Sequence, residues 1–144
     1  MAMIGNRVLG GNSACFITFE AGPTHEGVDS AKALIDAAYD AGGDAIKFQI
    51  FDPDRLVADR SVMFSYKALA DARSGKTEEL SEPLYEILKR RYLSGSQWKE
   101  VKAHADRKGL QFFATVGFDE DIELVESLGC TSVKVASADV DHLP

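Results

Sequence analysis

Lys47 and Gln49 interrupt an otherwise apolar run, Asp44-Ala45-Ile46-Lys47-Phe48-Gln49-Ile50-Phe51. In an extended chain, successive side chains point to opposite faces. Lys47 and Gln49 then share one side, and Ile46, Phe48 and Ile50 take the other. An ammonium is almost never buried without a counter-charge, so the polar side is expected to line a cavity that takes an anionic ligand. Lys134 repeats the pattern inside the run 132–139, with Ser137 and Asp139 just past it. Glu20 closes the strand-like run 14–20 ahead of the turn-forming Gly22-Pro23, and Thr115 closes a further apolar run at 110–115. Polar groups at the C-terminal ends of apolar strands are what a parallel α/β sheet or barrel uses to build an active site.

Helical periodicity separates these strands. Over 29–41, Ala31, Leu34, Ile35 and Ala38 recur at helical spacing, with Asp29 or Ser30 as N-cap and Gly42 as stop. Residues 96–108 repeat the logic through Trp98, Val101 and Ala105 up to Gly109, and 119–128 do so through Leu124, Val125 and Leu128 up to Gly129. The predicted order is strand, helix, strand, irregular helical stretch, helix, strand, helix, strand. That alternation implies parallel strands with right-handed crossovers. A full (β/α)8 barrel of the TIM type takes about 250 residues, whereas this chain has 144 and ends just after the fourth strand. The expectation is therefore the first four β/α units, a half-barrel that forms part of a longer protein. Its open sheet edges would invite pairing with a second copy.

A net charge of −7 excludes the broad basic surface that nucleic acid or an anionic membrane requires, so any anion must be bound locally. No signal-peptide core and no membrane-length apolar run is present, and a cytoplasmic location is expected. Cys15 and Cys130 read as reduced structural residues. Residues 53–80 mix charges, Gly75 and short apolar pieces, and are expected to form one long excursion between the second and third strands. Within it, Ser74-Gly75-Lys76-Thr77 imitates the end of a nucleotide-binding loop, but Ala70 stands where the first glycine belongs and no strand precedes it. Lys89-Arg90-Arg91 reads as the solvated face of a helix carrying Leu84, Ile87 and Leu88.

Taken together, Glu20-Ala21-Gly22 leading to His25-Glu26-Gly27, then Lys47-Phe48-Gln49, Thr115 with Phe118-Asp119, and Lys134-Val135-Ala136-Ser137-Ala138-Asp139 resemble the N-acetylneuraminate (sialic acid) synthase family. The resemblance covers nearly the whole chain apart from 53–80, and about the first two-fifths of a family member. It implies a complete barrel followed by a small antifreeze-like domain. It also implies a transferase of carbohydrate biosynthesis that condenses phosphoenolpyruvate with an N-acetylated hexosamine such as N-acetylmannosamine, giving a nine-carbon 2-keto sugar acid and phosphate. By that resemblance Lys47, Thr115, Lys134 and Ser137 match positions that hold phosphoenolpyruvate, where cations and hydroxyls meet its charges. Glu20 and Asp139 match the acidic catalytic positions, and Gln49 and His25 match the sugar side. A divalent metal, typically manganese, is implied with its ligands outside this stretch, as is a homodimer. The chain alone is then expected not to catalyse.

Three departures from the family pattern point to a different sugar. Thr24 stands where asparagine usually precedes the histidine, Val116-Gly117 separate Thr115 from Phe118, and Ala138 replaces a commoner glycine. Other readings of the same residues stay open. Lys47 or Lys134 could form a Schiff base in a class I aldolase. The half-barrel could instead be a non-catalytic anion-binding or assembly module that pairs with another chain; separately, the lysines could pair with Glu20 and Asp139 in a structural network, which does not exclude catalysis.

Overall fold

The computed structural model describes residues 2–71 and 73–141. The chain divides into two compact units, one formed by Met1–Phe51 with Arg91–Pro144 and the other by Asp52–Arg90.

The first unit opens on a short antiparallel hairpin of β1 (Ala2–Ile4) and β2 (Arg7–Leu9). It continues as β3 (Thr18–Gly22), α1 (Val28–Asp40) and β4 (Ala45–Gln49). The second unit then intervenes with α2 (Pro53–Leu56), β5 (Met63–Asp71), β6 (Lys76–Pro83) and α3 (Leu84–Lys89). The first unit resumes with α4 (Gly95–Lys108), β7 (Gln111–Val116), α5 (Asp119–Ser127), β8 (Val133–Val135) and a 3-10 turn over Ser137–Asp139. Strands β3, β4, β7 and β8 form one sheet in that order, parallel throughout. This is the α/β parallel-sheet class that the strand and helix alternation predicts.

Alternation along the strands divides the sheet into two chemically distinct faces. Ile46 and Phe48 of β4, and Phe112 and Ala114 of β7, point toward the helices and are buried with Ile35 of α1 and with Trp98, Val101 and Ala105 of α4. Phe48 is the centre of this layer, with Trp98 and Phe112 each 5.6 Å away between ring centroids. On β8 the equivalent Val133 and Val135 are exposed, because no helix among the described residues covers them. The opposite end of the sheet is tied by Asp44, which accepts a hydrogen bond from the Ile17 amide at 2.8 Å and pairs with Arg7 at 2.8 Å. Helix α4 is closed at both ends as its sequence predicts. Ser94 Oγ accepts from the Gln97 amide, Gln97 returns a bond to the Ser94 amide at 2.8 Å, and Gly109 ends the helix at φ 75°.

Residues 53–80 differ from the expected irregular helical stretch. Most of them form the antiparallel hairpin β5–β6, with Gly75 at φ +69° in its turn. Ser74-Gly75-Lys76-Thr77, the nucleotide-loop lookalike, is simply where that turn enters β6. The period-two signal is present only in β5, where Phe64 and Tyr66 share a face and stack at 6.2 Å. Strand β6 reads Lys-Thr-Glu-Glu-Leu-Ser-Glu-Pro and carries almost no apolar side chains to alternate. Within the same unit, Tyr85 donates to Asp54 at 2.7 Å and lies under the Arg60 guanidinium, 4.2 Å from the ring centroid. The N-terminal hairpin is a second element that the periodicity leaves out, since strands of three residues are too short to register one.

Truncation of Trp98 to alanine should cost roughly 3–5 kcal/mol, because it empties a closed aromatic layer. Urea denaturation followed by circular dichroism measures this, and a loss below about 1 kcal/mol would show that the layer is not the centre of the core.

Candidate active site

The other face of the sheet holds the polar groups. Register pairs Glu20 of β3 with Lys47 of β4, and Gln49 of β4 with Thr115 of β7, which in turn pairs with Lys134 of β8. In a parallel sheet, side chains at paired positions stand on the same face, so backbone pairing alone gathers the five. They line a cavity of about 410 Å³ together with Ala21, Gly22, Pro23 and Thr24 of the β3–α1 loop and Ala136 beyond β8.

Lys47 is the anchor of this cavity. Its side chain is nearly enclosed, and its Nζ lies 2.6 Å from Glu20 Oε2 and donates to Thr115 Oγ1 at 2.8 Å. The ammonium thus joins groups from three adjacent strands and meets the counter-charge that its burial requires. Glu20 is the open end of the pair, with 58% of its side chain exposed against 10% for Lys47. That asymmetry leaves the carboxylate accessible from the cavity while the ammonium forms its floor.

Glycine makes this geometry possible. The ladder between β3 and β4 slips between Glu20 and Gly22, a bulge that turns the chain off the sheet beside the carboxylate. Gly22 adopts φ +49°, and a Cβ there would stand 3.3 Å from Glu20 Oε1. Thr24 closes the turn by donating its hydroxyl to the Ala21 carbonyl at 2.7 Å. On the far side of the sheet end, the loop after β7 is fixed by Asp121, whose Oδ2 accepts from the amides of Gly117 at 3.2 Å and Phe118 at 3.1 Å.

Of the residues singled out in the sequence, Glu20, Lys47, Gln49, Thr115 and Lys134 come together in the cavity. Ser137 and Asp139 do not line it; both are exposed in the 3-10 turn that follows β8. Lys134 has no ion-pair partner among the described residues, so the expected alternative pairing with Asp139 is not formed. His25 sits elsewhere. It is fully buried on the helix side of the sheet, with its ring centroid 5.8 Å from Phe48 and 5.4 Å from Trp98. Phe48 and Lys47 are neighbours on opposite faces of β4, so the sugar contact expected of His25 is not available from this position. Gly22 and Ala136 also line the cavity; in the sequence they stand only as members of the runs Glu20-Ala21-Gly22 and 134–139, with no chemical role of their own, because neither carries a reactive group. A second cavity lies around Arg7, Tyr39, Asp44 and Lys108, but its charges are already matched, Arg7 with Asp44 at 2.8 Å and Lys108 with Asp36 at 2.9 Å.

Residues 34–144 match the model of the NeuB family. The chain belongs to that family. Among NeuB-family relatives, it is 34% identical over 142 residues to the N,N'-diacetyllegionaminic acid synthase of Legionella pneumophila, covering 97% of this chain and 38% of the relative. It is 30% identical to the spore coat polysaccharide biosynthesis protein SpsE of Bacillus subtilis, over 98% of this chain and 35% of that protein. A solved N-acetylneuraminic acid (sialic acid) synthetase from Leptospira borgpetersenii, in complex with citrate, superposes with a TM-score of 0.71 at 26% identity. That match covers 96% of this chain and 41% of the solved one. The chain thus spans well under half the length of these relatives.

Replacing Lys47 by methionine, which keeps the length of the side chain and removes the charge, should leave stability within about 1 kcal/mol of the wild type or raise it, because a pair with one exposed partner contributes little. Chemical denaturation of Lys47→Met decides this. A loss above about 3 kcal/mol would make the pair a structural bridge first and a ligand site second.

Proposed function

We propose that this chain forms the phosphoenolpyruvate-binding part of a sialic acid synthase-like enzyme, contributing the first four β/α units of an eightfold barrel. The observation that carries the reading is the convergence of Lys47, Thr115 and Lys134 on one cavity, across three adjacent parallel strands, at the end of the sheet where such folds react. Two ammonium groups and a hydroxyl suit a ligand with a phosphate and a carboxylate.

In the proposed reaction the enol carbon of phosphoenolpyruvate attacks the open-chain aldehyde of an N-acetylated hexosamine. Water adds to the resulting cation at the phosphate-bearing carbon, and phosphate leaves, giving a nine-carbon 2-keto acid. Lys47 and Lys134 hold the anionic groups and stabilise charge as it shifts, with Thr115 donating a hydroxyl proton. Glu20, exposed at the cavity mouth and in contact with Lys47, is placed to accept the proton of the attacking water or orient a sugar hydroxyl. Gln49, which lines the cavity, would orient a substrate oxygen, whereas the acidic role that the resemblance gives Asp139 and the hydroxyl role it gives Ser137 are not supported by their exposed positions outside the cavity. A divalent metal, manganese by the family resemblance, would polarise the aldehyde. By the same resemblance its ligands would lie outside this stretch. The loops around Thr24 and Val116-Gly117, which depart from the family pattern, would favour a different sugar acceptor. A homodimeric, cytoplasmic enzyme fits this reading, and no helix among the described residues is long and apolar enough to cross a membrane.

Calorimetric titration with phosphoenolpyruvate at constant ionic strength tests the anion site. Binding should be lost, or weakened by roughly tenfold or more, in both Lys47→Ala and Lys134→Ala, since each removes a charge-assisted contact. No binding by the folded wild type would overturn the proposal. Borohydride reduction in the presence of a keto acid separates the aldolase alternative, because the proposed synthase chemistry forms no imine. The expected outcome is an unmodified chain by mass spectrometry.

A further inference from the structure

His25 is buried at a cost that packing alone does not explain. It is fully enclosed, and neither Nδ1 nor Nε2 has a hydrogen-bond partner among the described residues. Buried polar atoms are almost always paired, and leaving them unpaired costs free energy that a phenyl ring in the same seat would not incur. The seat itself is aromatic, with Phe48 and Trp98 meeting the imidazole edge to face at interplanar angles of 68° and 87°.

Two connections link this ring to the cavity. His25 directly follows Pro23 and Thr24, which wall the cavity, in a loop whose other fastening is the local turn from Thr24 to Ala21. Phe48, against which the ring packs, stands between Lys47 and Gln49 on β4, so the seat and the cavity floor share one strand. We propose that His25 is a positioning residue for the anion site: its uncharged ring, seated between Phe48 and Trp98, holds Pro23 and Thr24 as a cavity wall, which makes anion affinity depend on the charge state of the ring. This rests on the anion-binding reading above.

The surroundings favour the neutral ring. Burial pushes the His25 value down from that of an ordinary histidine, and the Arg91 charge pushes it the same way. On β4 the nearest charged residue, Lys47, points to the other face. On α4, Lys99 and Glu100 flank Trp98 and are exposed, with Glu100 taken by Lys32. In the loop itself Glu26 is exposed. None of these supplies a counter-charge within hydrogen-bond reach of the ring. Its protonation therefore opposes the seated state, and the sign follows: the unseated ring binds the proton more readily, so acid drives the ring out and affinity down.

Sulfate is a suitable probe because its charge is constant from about pH 7.5 to about pH 4, a range that extends below the ordinary histidine value in the direction in which burial shifts this ring. At the upper pH, His25→Ala should bind sulfate roughly tenfold more weakly, the size typical of deleting an outer-shell support, and His25→Phe should restore binding. On acidification the wild-type affinity should fall, approaching tenfold per pH unit below the titration of the ring, while His25→Phe follows a flatter course. Circular dichroism at each pH reports whether the fold is retained. Parallel pH profiles for wild type and His25→Phe would overturn the inference and leave the anion site standing. Loss of fold ahead of any loss of affinity would give the ring a structural role only and overturn it as well. Absence of sulfate binding by the folded wild type at the upper pH would remove the anion-site reading, and this inference with it.

Discussion

An ammonium inside a parallel sheet can be kept only by a matching set of neighbours. Lys47 is held by a carboxylate from the preceding strand at 2.6 Å and a hydroxyl from the following strand at 2.8 Å. Those partners stand next to it only in this strand order and register, because the register places Glu20 opposite Lys47 and aligns Thr115 two pairs further along, opposite Gln49 and on the same face. A slip of one residue would turn Lys47 into the aromatic layer and Phe48 into the cavity. The buried charge therefore specifies register as well as chemistry. The energetic weight falls on the other face, where Phe48, Trp98 and Phe112 close the core.

The division of labour between the two faces explains why the loops can differ from the family pattern without loss of the fold. The helix side is apolar and close-packed, and it fixes the sheet. The cavity side is shaped by short turns with their own local fastenings: Thr24 to Ala21 after β3, and Asp121 to the Gly117 and Phe118 amides after β7. Such turns can change residue by residue while the strand ends that carry Lys47, Thr115 and Lys134 stay in place.

The sequence makes the sheet legible for the same reason. Apolar residues repeat at period two or near 3.6 wherever an element has one buried face, which is true of β4, β7, α1 and α4, and glycines mark the helix ends. Legibility fails where burial is slight: β6 is polar along its length and the N-terminal strands have three residues each. The site shows the same division. Lys47 and Lys134 stand out because charge inside an apolar strand is anomalous. The backbone bulge at Gly22 leaves no such mark, because its role is conformational. His25 is the instructive case: the resemblance puts it on the sugar side, and only the three-dimensional path of the loop carries its ring to the helix side of the sheet.

Charge balance gives the cavity an order of events under the proposed reading. At rest Lys47 is neutralised by Glu20, whereas Lys134 lines the same cavity with no ion pair among the described residues. Under the proposed reading Lys134 is therefore the charge that an anion can engage without displacing a carboxylate. Full engagement of Lys47 then requires the anion to share or displace Glu20, and the exposure of that carboxylate makes its release to water inexpensive. Displacement leaves a free carboxylate at the cavity mouth only once the anion is bound. Under the proposed reading the same carboxylate that pairs with Lys47 would then be the group available as a base.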